Sequence, residues 1–203
     1  MKKLIIYIHG KGGNADEAEH YRQLFSDCGV IGFDYTAQTP RDAKTEFSEY
    51  FDSISKGYEA VSIIANSIGA YFAMSSLCDK KIEKAYFISP VVDMERLISD
   101  MMAWENVTET ELAERKEIPT GFGETLSWDY LCYVRKNPIK WNIAAHILYG
   151  ENDNLTSYET IKGFAEKNGA TLTVMKNGGH WFHTEEQMNF LDRWIIEKEG
   201  FKI

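Results

Sequence analysis

The sequence predicts an α/β fold: a three-layer, doubly wound, mostly parallel six-stranded sheet with helices on both faces and a small helical insertion. Two observations carry that expectation. Strand-like and helix-like stretches alternate along the chain, and the strand-like ones are continuous apolar runs, such as Leu4-Ile5-Ile6-Tyr7-Ile8 and Val61-Ser62-Ile63-Ile64-Ala65. A strand that alternates polar and apolar residues has one wet face, whereas an unbroken run is buried on both, as parallel strands are.

The elements follow in order. Residues about 3–9 form the first strand. Asn14, with Glu17 three residues on, opens a helix by a capping box. Its apolar positions Ala18, Tyr21, Phe25 and Cys28 keep helical spacing, and Gly29 is expected to stop it. A short strand follows at about 30–35. Thr39, Pro40 and Asp42 start the next helix, whose buried stripe is Ala43, Phe47, Tyr50, Phe51 and Ile54, and which ends at Gly57. The third strand, about 59–66, leads into a helix over about 68–78, and Ala85–Ile88 is the fourth strand. The fifth strand runs from Ala144 to Tyr149. Thr156 and Glu159 are expected to cap a helix ending at Asn168-Gly169, and Ala170–Met175 is the sixth strand. Thr184 and Gln187 make a capping box for the last helix, with a stripe of Met188, Leu191, Trp194 and Ile195.

One interval breaks the rhythm. Residues about 91–143 separate the fourth and fifth strands, far more than one crossover needs. This stretch reads as several short helices with loops at Pro119-Thr120-Gly121 and Asn137-Pro138. The expected organisation is one domain, residues 1–203, carrying this insertion as a cap over one end of the sheet.

Composition narrows the function. Hydrophobic residues are 44% and charged ones 26%, an ordinary globular balance. A net charge of −9 without any basic run argues against nucleic acid and anionic membranes as partners. Cys28, Cys78 and Cys132 are odd in number and irregular in spacing, indicating neither a disulfide framework nor a zinc site. They suggest a reducing, cytoplasmic setting. The N-terminal Met1-Lys2-Lys3 and its apolar run imitate a secretion signal, but the run is short and leads into His9-Gly10-Lys11-Gly12-Gly13 with no cleavage site.

The stretch Ala65-Asn66-Ser67-Ile68-Gly69-Ala70 organises the chemistry. A strand, an abrupt turn carrying a serine, and a helix make the layout of a nucleophile elbow, where small residues must flank the serine at two positions' distance. Ala65 and Gly69 meet that need, with Ala65 where a glycine is usual. In a parallel sheet the reactive crevice lies beyond the carboxyl ends of the strands. His9-Gly10-Lys11-Gly12-Gly13 follows the first strand and Ser67 the third. Asp153, in Gly150-Glu151-Asn152-Asp153, follows the fifth, and His180, in Gly178-Gly179-His180, follows the sixth.

The His-Gly loop, the elbow, the Gly-x-x-Asp turn and the Gly-His ahead of the final helix, in this order, make the chain resemble an α/β-hydrolase over nearly its whole length. It resembles a short version that begins at the family's third core strand. The resemblance implies a Ser-His-Asp triad: Ser67 as nucleophile, His180 as general base, Asp153 as the carboxylate orienting it. It also implies an oxyanion hole from the Ile68 backbone N–H with that of Lys11, Gly12 being next in line, and no cofactor or metal.

Alternatives stay open for several positions. His183 rivals His180, which is preferred for its glycine-rich loop. Asp93, after the fourth strand, rivals Asp153. His9 reads as structural, His20 as a helix-surface residue, His146 as a strand-edge residue and Asp34 as a loop or cap residue. The glycines and Lys11 after the first strand lack the spacing of a phosphate-binding loop. The substrate expected is a small carboxylic ester. Trp104, Phe122, Trp128, Tyr130, Tyr133 and Trp141 of the insertion, and Trp181 and Phe182 beside His180, are candidates to line an apolar crevice. Peptides, thioesters and a silent ligand-binding role remain the competing readings, since one fold supports them all. Oligomeric state is not legible.

Overall fold

The computed structural model describes residues 2–200. Two compact units divide the chain, one ending at Val92 and resuming at Lys140, the other spanning Asp93–Ile139.

The first unit begins with β1 (Lys3–Ile8), a 3-10 turn (Ala15–Glu17) and α1 (Ala18–Arg22), then β2 (Cys28–Phe33) and α2 (Pro40–Ile54). β3 (Ala60–Asn66), α3 (Ser67–Ser76) and β4 (Ala85–Ile88) follow. The second unit holds α4 (Met94–Trp104), α5 (Glu109–Arg115), β5 (Glu117–Pro119), β6 (Thr125–Ser127) and α6 (Trp128–Lys136). The first unit resumes with β7 (Ala145–Gly150), α7 (Tyr158–Asn168), β8 (Thr171–Met175) and α8 (Glu185–Glu199).

Six strands form one sheet in the order β2-β1-β3-β4-β7-β8, and every neighbouring pair is parallel. The unbroken apolar runs require this, because both faces are covered. On one face Ile5, Tyr7, Ile64, Tyr86, Ile88 and Leu148 are buried with Tyr21 of α1 and Leu191, Trp194 and Ile195 of α8. On the other, Phe47 of α2 packs edge-on to Phe33 and Phe72, joining β2, α2 and α3. The chain steps from β1 outward to β2 and returns on the other side at β3. The crevice between the carboxyl ends of β1 and β3 is therefore the switch point, where such sheets take ligands.

Three sequence expectations give way. The first helix does not run to Gly29: after the capping box at Asn14 it stops at Arg22, and Cys28 and Gly29 belong to β2. Pairing wins over helical spacing there, because Cys28 opposes Lys3 and Gly29 opposes Leu4 at the start of a full-length ladder. The cap of α7 is Ser157, which accepts from the Thr160 N–H, and not Thr156. Thr156 is drawn the other way, its N–H to Asp153 and its carbonyl to the Tyr149 hydroxyl. The second unit is not purely helical, since β5 and β6 form an antiparallel hairpin. Three-residue strands are too short to show a period of two, and the hairpin is held at its loop by Thr120, whose hydroxyl donates to the Glu124 carbonyl at 2.8 Å. Within this unit Arg135 of α6 ties α4 and α5 together, pairing with Glu95 at 2.7 Å and Glu109 at 2.8 Å.

The three cysteines are free thiols. Among the described residues, no helix is long and apolar enough to cross a membrane.

Candidate active site

Ser67 sits where β3 ends and α3 begins, with φ +49°, a left-handed conformation that costs a non-glycine residue roughly 1–2 kcal/mol. The surroundings hold it there. Its carbonyl accepts from the Val91 N–H at 3.1 Å, tying it to the segment after β4. Gly69 lies so close to β1 that a Cβ would come within 2.2 Å of the His9 carbonyl oxygen. The β1 loop in turn reaches the serine, since a Cβ on Gly10 would lie 3.3 Å from that of Ser67. Small residues thus let strand, elbow and loop close on one another.

A second junction brings Asp153 and His180 together. The loop after β7 and the loop after β8 are zipped by Glu151 N–H to the Met175 carbonyl at 3.0 Å and Asn152 N–H to the Gly178 carbonyl at 2.7 Å. Gly150 makes this approach possible: a Cβ there would stand 2.4 Å from the Gly179 oxygen and 2.6 Å from that of Gly178. Gly150→Ala should therefore push the 178–180 loop away and destabilise the fold by about 1–3 kcal/mol, the usual cost of overpacking. Thermal unfolding would register it as a loss of roughly 2–12 °C. A wild-type melting temperature would show that the loops can part without cost.

Asp153 is wholly inaccessible at its side chain, yet fully partnered. Its Oδ1 accepts from the Leu155 N–H at 2.8 Å and the Thr156 N–H at 3.1 Å, and its Oδ2 accepts from His180 Nδ1 at 2.7 Å. Both oxygens of this buried carboxyl group therefore have hydrogen-bond partners, without which its burial would be costly. The Tyr149 hydroxyl secures the same turn by donating to the Thr156 carbonyl at 2.8 Å; burial, then Asp153 and Glu159, push it up to about 12, so it keeps its proton. Because Nδ1 of His180 carries the proton given to Asp153, its Nε2 is an acceptor. That atom lies 2.8 Å from Ser67 Oγ. An unbroken line of hydrogen bonds runs from serine to imidazole to carboxylate.

The rival residues have other partners. His183 is exposed, gives its Nδ1 proton to the Trp181 carbonyl at 2.8 Å and stacks on the Trp181 ring at 3.8 Å. Asp93 caps α4, accepting from the Arg96 N–H at 2.9 Å. His9 is buried, stacks on Tyr35 at 4.3 Å and donates from Nδ1 to the Gly10 carbonyl, bracing the β1 loop. Asp34 is 4.0 Å from His9 and largely exposed. His20 pairs with Asp192 at 2.7 Å, and His146 bonds the Thr171 hydroxyl at 2.8 Å. Lys11 and Gly12 are exposed on the β1 loop, Gly12 with φ +76°, and the Gly13 N–H closes that turn onto the Gly10 carbonyl at 3.2 Å. Ile68 occupies the first turn of α3, whose leading N–H groups have no partner within the helix.

Of the aromatic candidates, Trp141 is buried against Phe87 and Phe182 is buried beside α8. Trp104 and Phe122 form an exposed edge-to-face pair in the second unit, and Trp181 is 71% exposed. Among the described residues, no group of three or more His, Cys, Asp or Glu side chains is placed to hold a metal ion. Two features at the site escaped sequence reasoning: the close approach at Gly150, and a bond from Asn66 to the Tyr7 hydroxyl behind the elbow. A tyrosine in an apolar strand reads as core, and only the partner across the sheet shows otherwise.

The fold is that of the α/β-hydrolases. Est1E from Butyrivibrio proteoclasticus is similar to this chain with a TM-score of 0.80 and 16% identity, covering 98% of this chain and 87% of that one. A structure of Est1E with ferulic acid bound gives a TM-score of 0.79 and 15% identity, covering 97% of this chain and 88% of that one. Alpha/beta hydrolase domain-containing protein 10 from mouse is similar at a TM-score of 0.78 and 14% identity, over 97% of this chain and 89% of that one. No protein-family model matches the sequence, and no curated protein does either.

Proposed function

We propose that this chain is a serine hydrolase that cleaves small carboxylic esters through an acyl-enzyme, in the cytoplasm. The observation that carries the reading is the run of two short hydrogen bonds, Ser67 Oγ to His180 Nε2 at 2.8 Å and His180 Nδ1 to Asp153 Oδ2 at 2.7 Å. Ser67 Oγ attacks the ester carbonyl as His180 Nε2 takes its proton, and Asp153 stabilises the imidazolium that results. The negative charge on the carbonyl oxygen is received by the Ile68 N–H and the Lys11 N–H, with Gly12 next to them. His180 then passes its proton to the departing alkoxide. A water molecule, deprotonated by His180, attacks the acyl-serine, and Ser67 recovers its proton as the acid leaves. Ferulic acid on Est1E, a small carboxylic acid, fits this substrate class.

Incubation with a fluorophosphonate, followed by intact mass and peptide mapping, tests the reading. One adduct on Ser67 is expected. His180→Ala should abolish labelling, while His183→Ala should label at the wild-type rate, because His183 is engaged with Trp181. A folded wild-type protein that takes no adduct, and binds a small ligand without turnover, would move the assignment to a silent binding protein. If Ser67 takes the adduct, a comparison of matched ester, thioester and anilide substrates ranks the leaving groups.

A further inference from the structure

The residue before Ser67 is held by a hydrogen-bond chain that the hydrolytic cycle does not use. Asn66 is the N-cap of α3, with extended backbone (φ −103°, ψ 137°), but its side chain makes no cap bond. Asparagine is among the best N-caps because its side-chain oxygen accepts from the second or third helical N–H, here Ile68 or Gly69. Instead, Asn66 Nδ2 donates to the Tyr7 hydroxyl at 2.8 Å, and Tyr7 donates to Glu17 Oε2. The polarity of the chain is forced. The single phenolic proton goes to the carboxylate, so Tyr7 can only accept from Asn66, which turns the amide nitrogen toward it. Burial, then the neighbouring Tyr21 and the bond to Glu17, hold the Tyr7 hydroxyl far above the ordinary phenol range, so that proton stays. Glu17 is pinned by the Asn14 N–H at 3.3 Å, the capping box legible in the sequence.

Asn66 Oδ1 is left buried with no hydrogen-bond partner among the described residues. An acceptor stranded this way is costly, and the N–H groups of the next helical turn would satisfy it. The Ile68 N–H is also the group required by the oxyanion. A capping Asn66 and the reacting carbonyl would compete for one donor.

We propose that the Glu17–Tyr7 pair is a positioning device: it holds the Asn66 amide off the start of α3 and so keeps the Ile68 N–H open for the substrate oxygen. The purpose rests on the hydrolase reading above; the restraint itself does not. Losing the Tyr7 hydroxyl releases the amide, which rotates and caps the helix. The substrate must then displace an N-cap bond at each turnover, a cost of about tenfold in kcat with KM little changed.

Tyr7→Phe and the double variant Tyr7→Phe/Asn66→Ala make the test. Glu17 is exposed and turns to water when its phenol partner is removed, so the single variant should fold, as its melting curve will show. Amide exchange of Ile68 and Gly69, followed by NMR, should slow in Tyr7→Phe and return to the wild-type rate in the double variant. Ester turnover should fall about tenfold and then recover in the same pattern. Recovery on adding a second truncation is the outcome that a packing role for Tyr7 cannot produce. Unchanged exchange at both amides in Tyr7→Phe, or turnover in the double variant below that of the single one, would overturn the proposal. If the wild type shows neither turnover nor a Ser67 adduct, the hydrolase reading fails. The exchange pattern would still decide whether Tyr7 restrains Asn66.

Discussion

Ser67→Ala is expected to lower ester turnover by about 10⁵–10⁶-fold and to remove fluorophosphonate labelling, with the fold intact. The size follows from covalent catalysis. Without Oγ there is no acyl-enzyme, and what survives is the weaker assistance of the oxyanion donors and substrate binding. The fold should survive because the strain at φ +49° belongs to the backbone, not the hydroxyl, and is held by Gly69 against His9 and by the bond from Val91. Steady-state kinetics on the best ester of a panel, together with the melting temperature, measure both halves. A variant that keeps wild-type turnover would place the chemistry elsewhere.

Asp153→Asn should cost about 10⁴-fold in kcat while leaving the backbone where it is. The argument is one of hydrogen-bond direction. Two backbone donors, Leu155 N–H and Thr156 N–H, point at Oδ1, so an amide at this position must turn its oxygen to them. Its NH₂ then faces His180 Nδ1, which can only respond by becoming an acceptor. The imidazole proton moves to Nε2, the atom 2.8 Å from Ser67 Oγ, and His180 can no longer take the serine proton. The neutral amide also fails to stabilise an imidazolium. Kinetics of turnover and of adduct formation should fall together, because both need an activated serine. A loss of less than tenfold would mean that Asp153 serves only to tie the β7 and β8 loops.

Both effects depend on atoms brought together from distant parts of the chain, and the sequence revealed them unequally. Alternation of apolar runs and capped helices was legible because each is local: Thr39 and Thr184 start helices by satisfying the N–H three residues on. The placement of Ser67, Asp153 and His180 after three different strands was legible for the same reason, since strand ends are marked by glycine and small polar residues. Where the reading slipped, a long-range partner had overruled the local signal. Cys28 and Gly29 joined β2 because β1 offered a ladder, and Thr156 left its helix for Asp153 and Tyr149.

The parallel sheet, and the placement of Ser67, Asp153 and His180 after the ends of three of its strands, were legible in the sequence, because burial on both faces and turn chemistry act on neighbours along the chain. The tertiary structure alone supplied the hydrogen bonds that join Ser67 to His180 and His180 to Asp153, the pairing preferred from the sequence, and the restraint on Asn66. These rest on ångström-scale approaches: Gly150 against Gly178 and Gly179, Gly69 against His9, Tyr7 against Asn66. Such contacts are set by how strands pack side by side, and no spacing along the chain records them.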